Sequence, residues 1–194
     1  MDSAPHFTAR TRAEWRQWLE RNSATSTGVW LVSYKKSTGK GDLDYPASVE
    51  EALCFGWVDA TAGKVDAERS KLWFTKRKPK SGWSKINKVR IAQLTETKLM
   101  APAGLAAVAL AKTNGAWSSL DEVEALVIPP DLEKALAANR TARTFFLAFP
   151  PSAKKAILLW IQSAKRQATR EERIQRTVEL AGKNLRANSW PKPG

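Results

Sequence analysis

The sequence is poor in the residues on which most metal and redox chemistry depends. It holds one cysteine, Cys54, and one histidine, His6, among 194 residues. A single cysteine excludes an intrachain disulfide. Two such residues are too few for a zinc finger, a Cys/His catalytic dyad or a haem attachment motif. No metal and no other cofactor is implied. No apolar run reaches the roughly 18 residues needed to span a bilayer. The opening residues, Met1 to His6, carry neither a basic segment nor an apolar stretch of the secretory kind, so a cytoplasmic protein is expected. There is no Gly-rich nucleotide loop and no catalytic triad. The inventory therefore favours a non-enzymatic role over an enzyme.

Acidic residues are also scarce. Lys and Arg number 32 against 19 Asp and Glu, a net charge of +13. Hydrophobic residues make up 43% and charged residues 26%, a globular composition. The charge is uneven. Residues 41–70 carry two basic and seven acidic residues, while 71–90 carry eight basic and none acidic. A second basic stretch, 154–186, has nine basic and three acidic residues. A field of this sign attracts phosphate, nucleic acid, acidic proteins or anionic lipid, and the sign alone does not choose among them.

Local signals predict the elements. Thr11 and Glu14 have capping-box spacing before Trp15, Trp18 and Leu19, which predicts a helix over about 11–21. Gly28 to Lys35 is rich in β-branched and aromatic residues and reads as a strand. Ser48 with Glu51 predicts a second helix, ended by Gly56. Trp57–Ala60 and Lys71–Thr75 read as two strands joined by the polar stretch 63–70. Ser84 caps a helix to about Glu96, and Pro102 opens an Ala-rich helix that Asn114-Gly115 ends. Beyond that the chain reads as helical: Ser119/Glu122 and Thr169/Glu172 have capping spacing, Asp131 and Ser152 start helices, Pro129-Pro130 and Pro150-Pro151 break them, and Gly182 is a plausible terminator.

The expected fold is α+β, mostly α: a small antiparallel sheet with surrounding helices and a helical C-terminal unit. The expected division is an α+β core over 1–117 and a helical unit over 118–194, packed on the core. Its tail frays from about 184, with Trp190 available to dock it.

Several stretches carry a family resemblance: Ala52 to Asp59, Phe74 to Asn87, Met100 to Leu105, and Pro151 through Ile174. Over about Trp15 to Leu180 the chain resembles the YdeI/OmpD-associated family, also called bacteriocin-protection proteins. The resemblance implies a role in resistance to bacteriocins or cationic peptides and association with an outer-membrane porin, that is, a protein partner. It implies no reaction. The chain departs from the family pattern at Lys76 and Leu99, without loss of a charged group.

The main candidate site is the segment Lys76, Arg77, Lys78, Lys80, Ser81, Trp83, Ser84 and Asn87. A basic strand end meets a Ser-Gly turn and then a helix N-terminus, where free N–H groups and the helix dipole favour an anion. Arg77 has a two-pronged fork for phosphate or carboxylate, and Trp73 and Trp83 offer rings for a base. The plain alternative makes the tryptophans core residues, Ser84 a cap and the lysines solvated. Lys35 and Lys36 end the first strand and face the same cleft, or guard a sheet edge. Cys54, flanked by Leu53 and Phe55, reads as inert core. Glu51 and Asp59 are a possible acid–base pair, but a cap for Glu51 and a salt bridge from Asp59 to Arg77 or to a lysine across the hairpin are simpler. The C-terminal basic residues, Lys154 to Arg176, fit either a membrane surface or the wet side of a packed helix.

These features give a non-enzymatic cytoplasmic stress or defence protein whose basic segment holds a polyanion, nucleic acid above all. The alternatives are a protein-interaction module in bacteriocin or envelope-stress resistance, and an enzyme acting on a small anionic substrate.

Overall fold

The computed structural model describes residues 4–41 and 43–188; the expectations for Trp190 and the last residues of the tail fall outside that range. The chain divides into two compact units, Met1–Ser119 and Leu120–Gly194.

In the first unit a four-stranded sheet carries its helices on one face. The strands are β1 (His6–Thr8), β2 (Gly28–Tyr34), β3 (Trp57–Lys64) and β4 (Arg69–Lys76), in the order β1-β2-β4-β3. The α+β class is as expected, but the sheet is mixed. β2, β4 and β3 are antiparallel, whereas β1 lies parallel to β2. Parallel neighbours need a crossover, and α1 (Arg12–Asn22) supplies it. β1 has only three residues, too few for a hydrophobic period to reveal. The β3–β4 ladder also runs further than expected, because Asp66 folds the turn tightly. Its carboxylate accepts from the Glu68 and Arg69 N–H groups and from the Arg69 guanidinium at 2.7–2.9 Å.

Side-chain caps explain several of the helix starts in this unit. Thr11 and Glu14 form the predicted capping box of α1. Ser84 caps α3 (Lys85–Glu96), and α4 (Pro102–Thr113) opens on its proline and ends at Asn114. The Ser48/Glu51 box does not form. Asp44 accepts from the Ala47 N–H at 2.8 Å and starts α2 (Tyr45–Cys54) earlier, with Pro46 in its first turn. Ser48 then sits inside the helix and donates to the Tyr45 carbonyl, and Glu51 is free to turn inward.

Strand register sorts the side chains. Val29, Leu31 and Ser33 stand opposite Phe74, Leu72 and Ser70 on the helix-covered face. Trp15, Leu19, Val29, Leu53, Trp57, Phe74 and Trp83 form the centre of this core.

The second unit contains α5 (Asp121–Glu124), α6 (Pro130–Ala137), α7 (Arg140–Ala148), α8 (Pro151–Gln162) and α9 (Gln167–Gly182). Leu132, Leu136, Phe146, Ile157 and Ile161 form its core. The single helix expected from Asp131 to Pro150 is two, because Asn139 accepts from the Ala142 N–H and caps a new start. Neither Ser119 nor Thr169 caps a helix; α5 begins after Leu120 and α9 after Arg166 without side-chain caps. α8 likewise follows Pro150, and Ser152 lies within its first turn. α9 runs through Gly182, and Asn184 at φ 56° takes the left-handed position instead.

Asp131 on α6 accepts two hydrogen bonds from Arg170 on α9. This pairing holds the Asp131 carboxyl below its ordinary value. A depressed carboxyl contributes stability that is fully present above the ordinary carboxylate pKa of about 3.9 and is lost as pH falls through the folded value. Acid titration of the helical circular dichroism signal is therefore expected to show a loss below about pH 4 that is smaller in Asp131→Asn, whose helices start from a lower stability. Identical acid profiles would remove the pair from the stability of this unit.

Candidate functional site

The basic segment after β4 is braced from within. The Arg77 N–H donates to the Gly56 carbonyl at 3.0 Å. Its Nη2 donates to the Gly82 carbonyl at 2.7 Å and more weakly to that of Ser81. The guanidinium lies 3.9 Å over the Trp83 ring, and Nε is buried without a partner among the described residues. Burial pushes the Arg77 pKa down to about 10, against the pull of Asp59. Trp83 is 2% exposed and packs on Trp117, so it belongs to the core and offers no face to a ligand. Ser84 caps α3 through the Asn87 N–H, and the Asn87 side chain accepts from Arg90. Lys76 donates to the Ala24 carbonyl at 2.6 Å. Lys78 and Lys80 are exposed. The fork of Arg77 thus closes its own loop, and the outward cations of the segment are chiefly lysines.

Lys35 and Lys36 do not share this locale. Tyr34 pairs with Arg69 at one end of β4, whereas Lys76 ends the other. Seven residue steps of extended strand separate the two ends, roughly 24 Å at about 3.4 Å per residue. Lys35 donates to the Ala67 carbonyl at 2.7 Å and so ties β2 to the β3–β4 turn. Lys36 opens a short 3₁₀ turn, Lys36–Thr38, and is exposed.

The outer face of the sheet carries a second aromatic and cationic group, of which Trp73 is one member. Trp30 and Trp73 are register partners on the two central strands, with ring centroids 5.4 Å apart in an edge-on arrangement. Both are half-buried and stand outside the core cluster. The Lys71 ammonium lies 4.5 Å from the centre of the Trp30 ring, and the His6 ring of β1 is 6.4 Å from it. Arg10 lies over Tyr34 further along the same face. Trp73 lies against Gly28, where a Cβ would meet the indole at 2.2 Å, so the glycine seats the ring on the backbone. Trp73 was visible as a candidate, but Trp30 was not singled out. No alternation of residue type marked Trp30, since Val29, Leu31, Trp30 and Val32 are all apolar, and only the register assigns its face.

A cavity of about 520 Å³ lies on the inner face, where the core ends beside the start of α2. Lys35 and Lys36 contribute to its lining.

The acid–base pair dissolves into two structural roles. Glu51 is 2% exposed and accepts from Arg12 Nε at 2.5 Å and Arg16 Nη1 at 2.8 Å. Burial alone would lower both guanidinium pKa values, but the Glu51 contacts outweigh it and raise them. Asp59 accepts from the Tyr45 hydroxyl at 2.9 Å, and among the described residues it forms no ion pair with Arg77 or a lysine. Cys54 is buried; burial, with Glu51 nearby, raises its thiol to about 11, which suits an inert core residue. Among the described residues no cluster of three metal-ligating side chains occurs, and no helix is long and apolar enough to cross a membrane.

The basic stretch from Lys154 to Arg176 is divided between α8, α9 and the Lys165–Arg166 link that joins them. Lys155 pairs with Glu124, Arg170 with Asp131, and Arg173 bonds the Trp160 carbonyl and Ser163 while lying over the Trp160 ring. Ile157, Ile161 and Ile174 are buried, so the apolar side of this segment is core.

Residues 7–107 match the model of a family described as a domain of unknown function (DUF8412). Residues 125–184 match the model of the bacteriocin-protection, YdeI or OmpD-associated family. The resemblance expected from Trp15 to Leu180 is thus confined to the helical unit, and the sheet-bearing unit matches a separate family. No curated protein and no solved structure matches the chain.

Proposed function

The chain belongs to the DUF8412 family through residues 7–107 and carries a bacteriocin-protection, YdeI or OmpD-associated domain at 125–184, and from that premise we propose a cytoplasmic binding protein that holds single-stranded nucleic acid on the outer face of its sheet. The match over 125–184 supports a bacteriocin-protection or envelope-associated role. The observation that carries the ligand is the Trp30–Trp73 pair beside Lys71. Bases stack on aromatic rings whatever their sequence, and neighbouring cations hold the phosphates. The pair stands on the two central strands, so it is fixed by the ladder rather than by a mobile loop. The exposed Lys78 and Lys80, beyond the end of β4, extend the positive field.

Anisotropy of labelled single-stranded and duplex oligonucleotides tests this at low and near-physiological salt. Single strands are expected to bind in preference to duplex, and binding to weaken steeply with salt. Trp73→Ala should weaken single-strand binding by about tenfold, the loss of one stacked base. Neutralising Lys78 and Lys80 should reduce the salt slope by up to about two. No binding at low salt, or equal binding by Trp73→Ala, sinks the reading.

The match over 125–184 favours a second reading, a protein-interaction module in bacteriocin resistance. A specific protein that co-purifies with the chain, together with no nucleic-acid affinity, would establish it in place of the first.

A further inference from the structure

The cavity on the inner face has the makings of a separate ligand site. Its volume of about 520 Å³ lies within the range that holds small molecules. Leu31, Leu43 and Leu72 give it an apolar floor continuous with the core. Ser33 and Ser70 also line it, and they are register partners on adjacent strands. Neither hydroxyl makes a hydrogen bond among the described residues, so two adjacent donors stand beside apolar ground. Lys36 lies at the rim on the 3₁₀ turn and is exposed, and Lys35 adds a second positive charge. Among the described residues Asp44 is the carboxylate in the lining, and it is engaged as the cap of α2 through the Ala47 N–H.

This pattern, leucines below, paired hydroxyls beside them and ammonium groups at the mouth, matches one ligand chemistry. We propose that the cavity binds a small amphipathic anion. Its apolar body rests on Leu31, Leu43 and Leu72. Its anionic oxygens accept from Ser33 and Ser70 and face Lys36. A cation of the same length meets like charge at the rim, and a neutral alcohol leaves the ammonium groups without a counter-charge. The site is distinct from the nucleic-acid face, since Ser33, Ser70 and Leu72 stand on the opposite face of the sheet from Trp30 and Trp73, although Lys71 borders both.

Calorimetric titration of the full chain with octanoate, octyl phosphate, octan-1-ol and octylammonium tests the proposal. Octanoate or octyl phosphate is expected to bind about tenfold or more tighter than octan-1-ol, and octylammonium not at all. The tighter of the two anions names the head group as carboxylate or phosphate. Lys36→Glu, on an exposed turn, should weaken the anion by about tenfold, and Ser70→Ala by a similar factor. Trp73→Ala should leave it unchanged. Octan-1-ol binding as tightly as the anions, or unaltered affinity in both Lys36→Glu and Ser70→Ala, would overturn the proposal whatever the outcome with nucleic acid.

Discussion

Gly104→Ala is expected to destabilise the sheet-bearing unit by about 2 kcal/mol, and Gly104→Val by more. Gly104 is buried in the first turn of α4, where that helix crosses the end of α2. A Cβ there would lie 2.2 Å from the Cys54 carbonyl oxygen, 2.7 Å from its carbon and 2.9 Å from the Leu53 oxygen. All three are backbone atoms, so no rotamer change relieves the clash. The helix must move away, and the hydrogen bond from the Ala101 N–H to the Cys54 carbonyl at 3.0 Å is then lost. Alanine gains about 0.5–1 kcal/mol over glycine in a helix interior, which offsets only part of the cost. Urea denaturation measures the change as a lower midpoint at an unaltered slope. Gly115→Ala is the control: its φ is 80° and nothing lies within 4 Å, so only backbone strain applies, about 1 kcal/mol. If Gly104→Ala costs no more than that control, the close approach of α4 to α2 is wrong.

Glu51→Ala should cost about 2 kcal/mol at neutral pH. The carboxylate is buried while its partners are not. The Arg12 and Arg16 side chains are 41% and 28% exposed, and they keep contacts with Glu50 and Glu20. Removal of a partner from a fully buried ion pair costs about 3–5 kcal/mol, and solvent screening of the two guanidiniums brings the figure down. Glu51→Gln should cost less than alanine, because the amide oxygen still accepts from one arginine and the volume is kept. The same denaturation experiment reads both. Glu51→Gln and Glu51→Ala at wild-type stability would mean that the arginines solvate as well without the carboxylate as with it. If Glu51 instead served as the base of an enzyme, its loss would show in turnover with stability intact.

The candidate site was legible in parts. The positive segment from Lys71 to Arg90 and the ring of Trp73 were visible as residues, because composition and alternation are local properties. The internal use of Arg77 was not, since its partners include the carbonyl of Gly56, which the hairpin brings alongside. Trp83 resembled an exposed aromatic beside basic residues and is buried against Trp117, a neighbour 34 positions away. The cavity had no sequence signal, since Ser33 and Ser70 are unremarkable until register sets them side by side.

By itself the sequence determined the positive charge, the α+β class, and those elements whose ends are capped by their own residues, such as α1 at Thr11 and α3 at Ser84. Each of these depends on residues within one turn or one strand of each other. The tertiary structure alone decided which face of β2 met the helices, where the Glu51 carboxylate went, that β1 joined the sheet in parallel, and that Lys35 and Lys76 stand at opposite ends of the β2–β4 ladder. Each of these rests on contacts between residues far apart in the chain, where strand register and burial outweigh local preference.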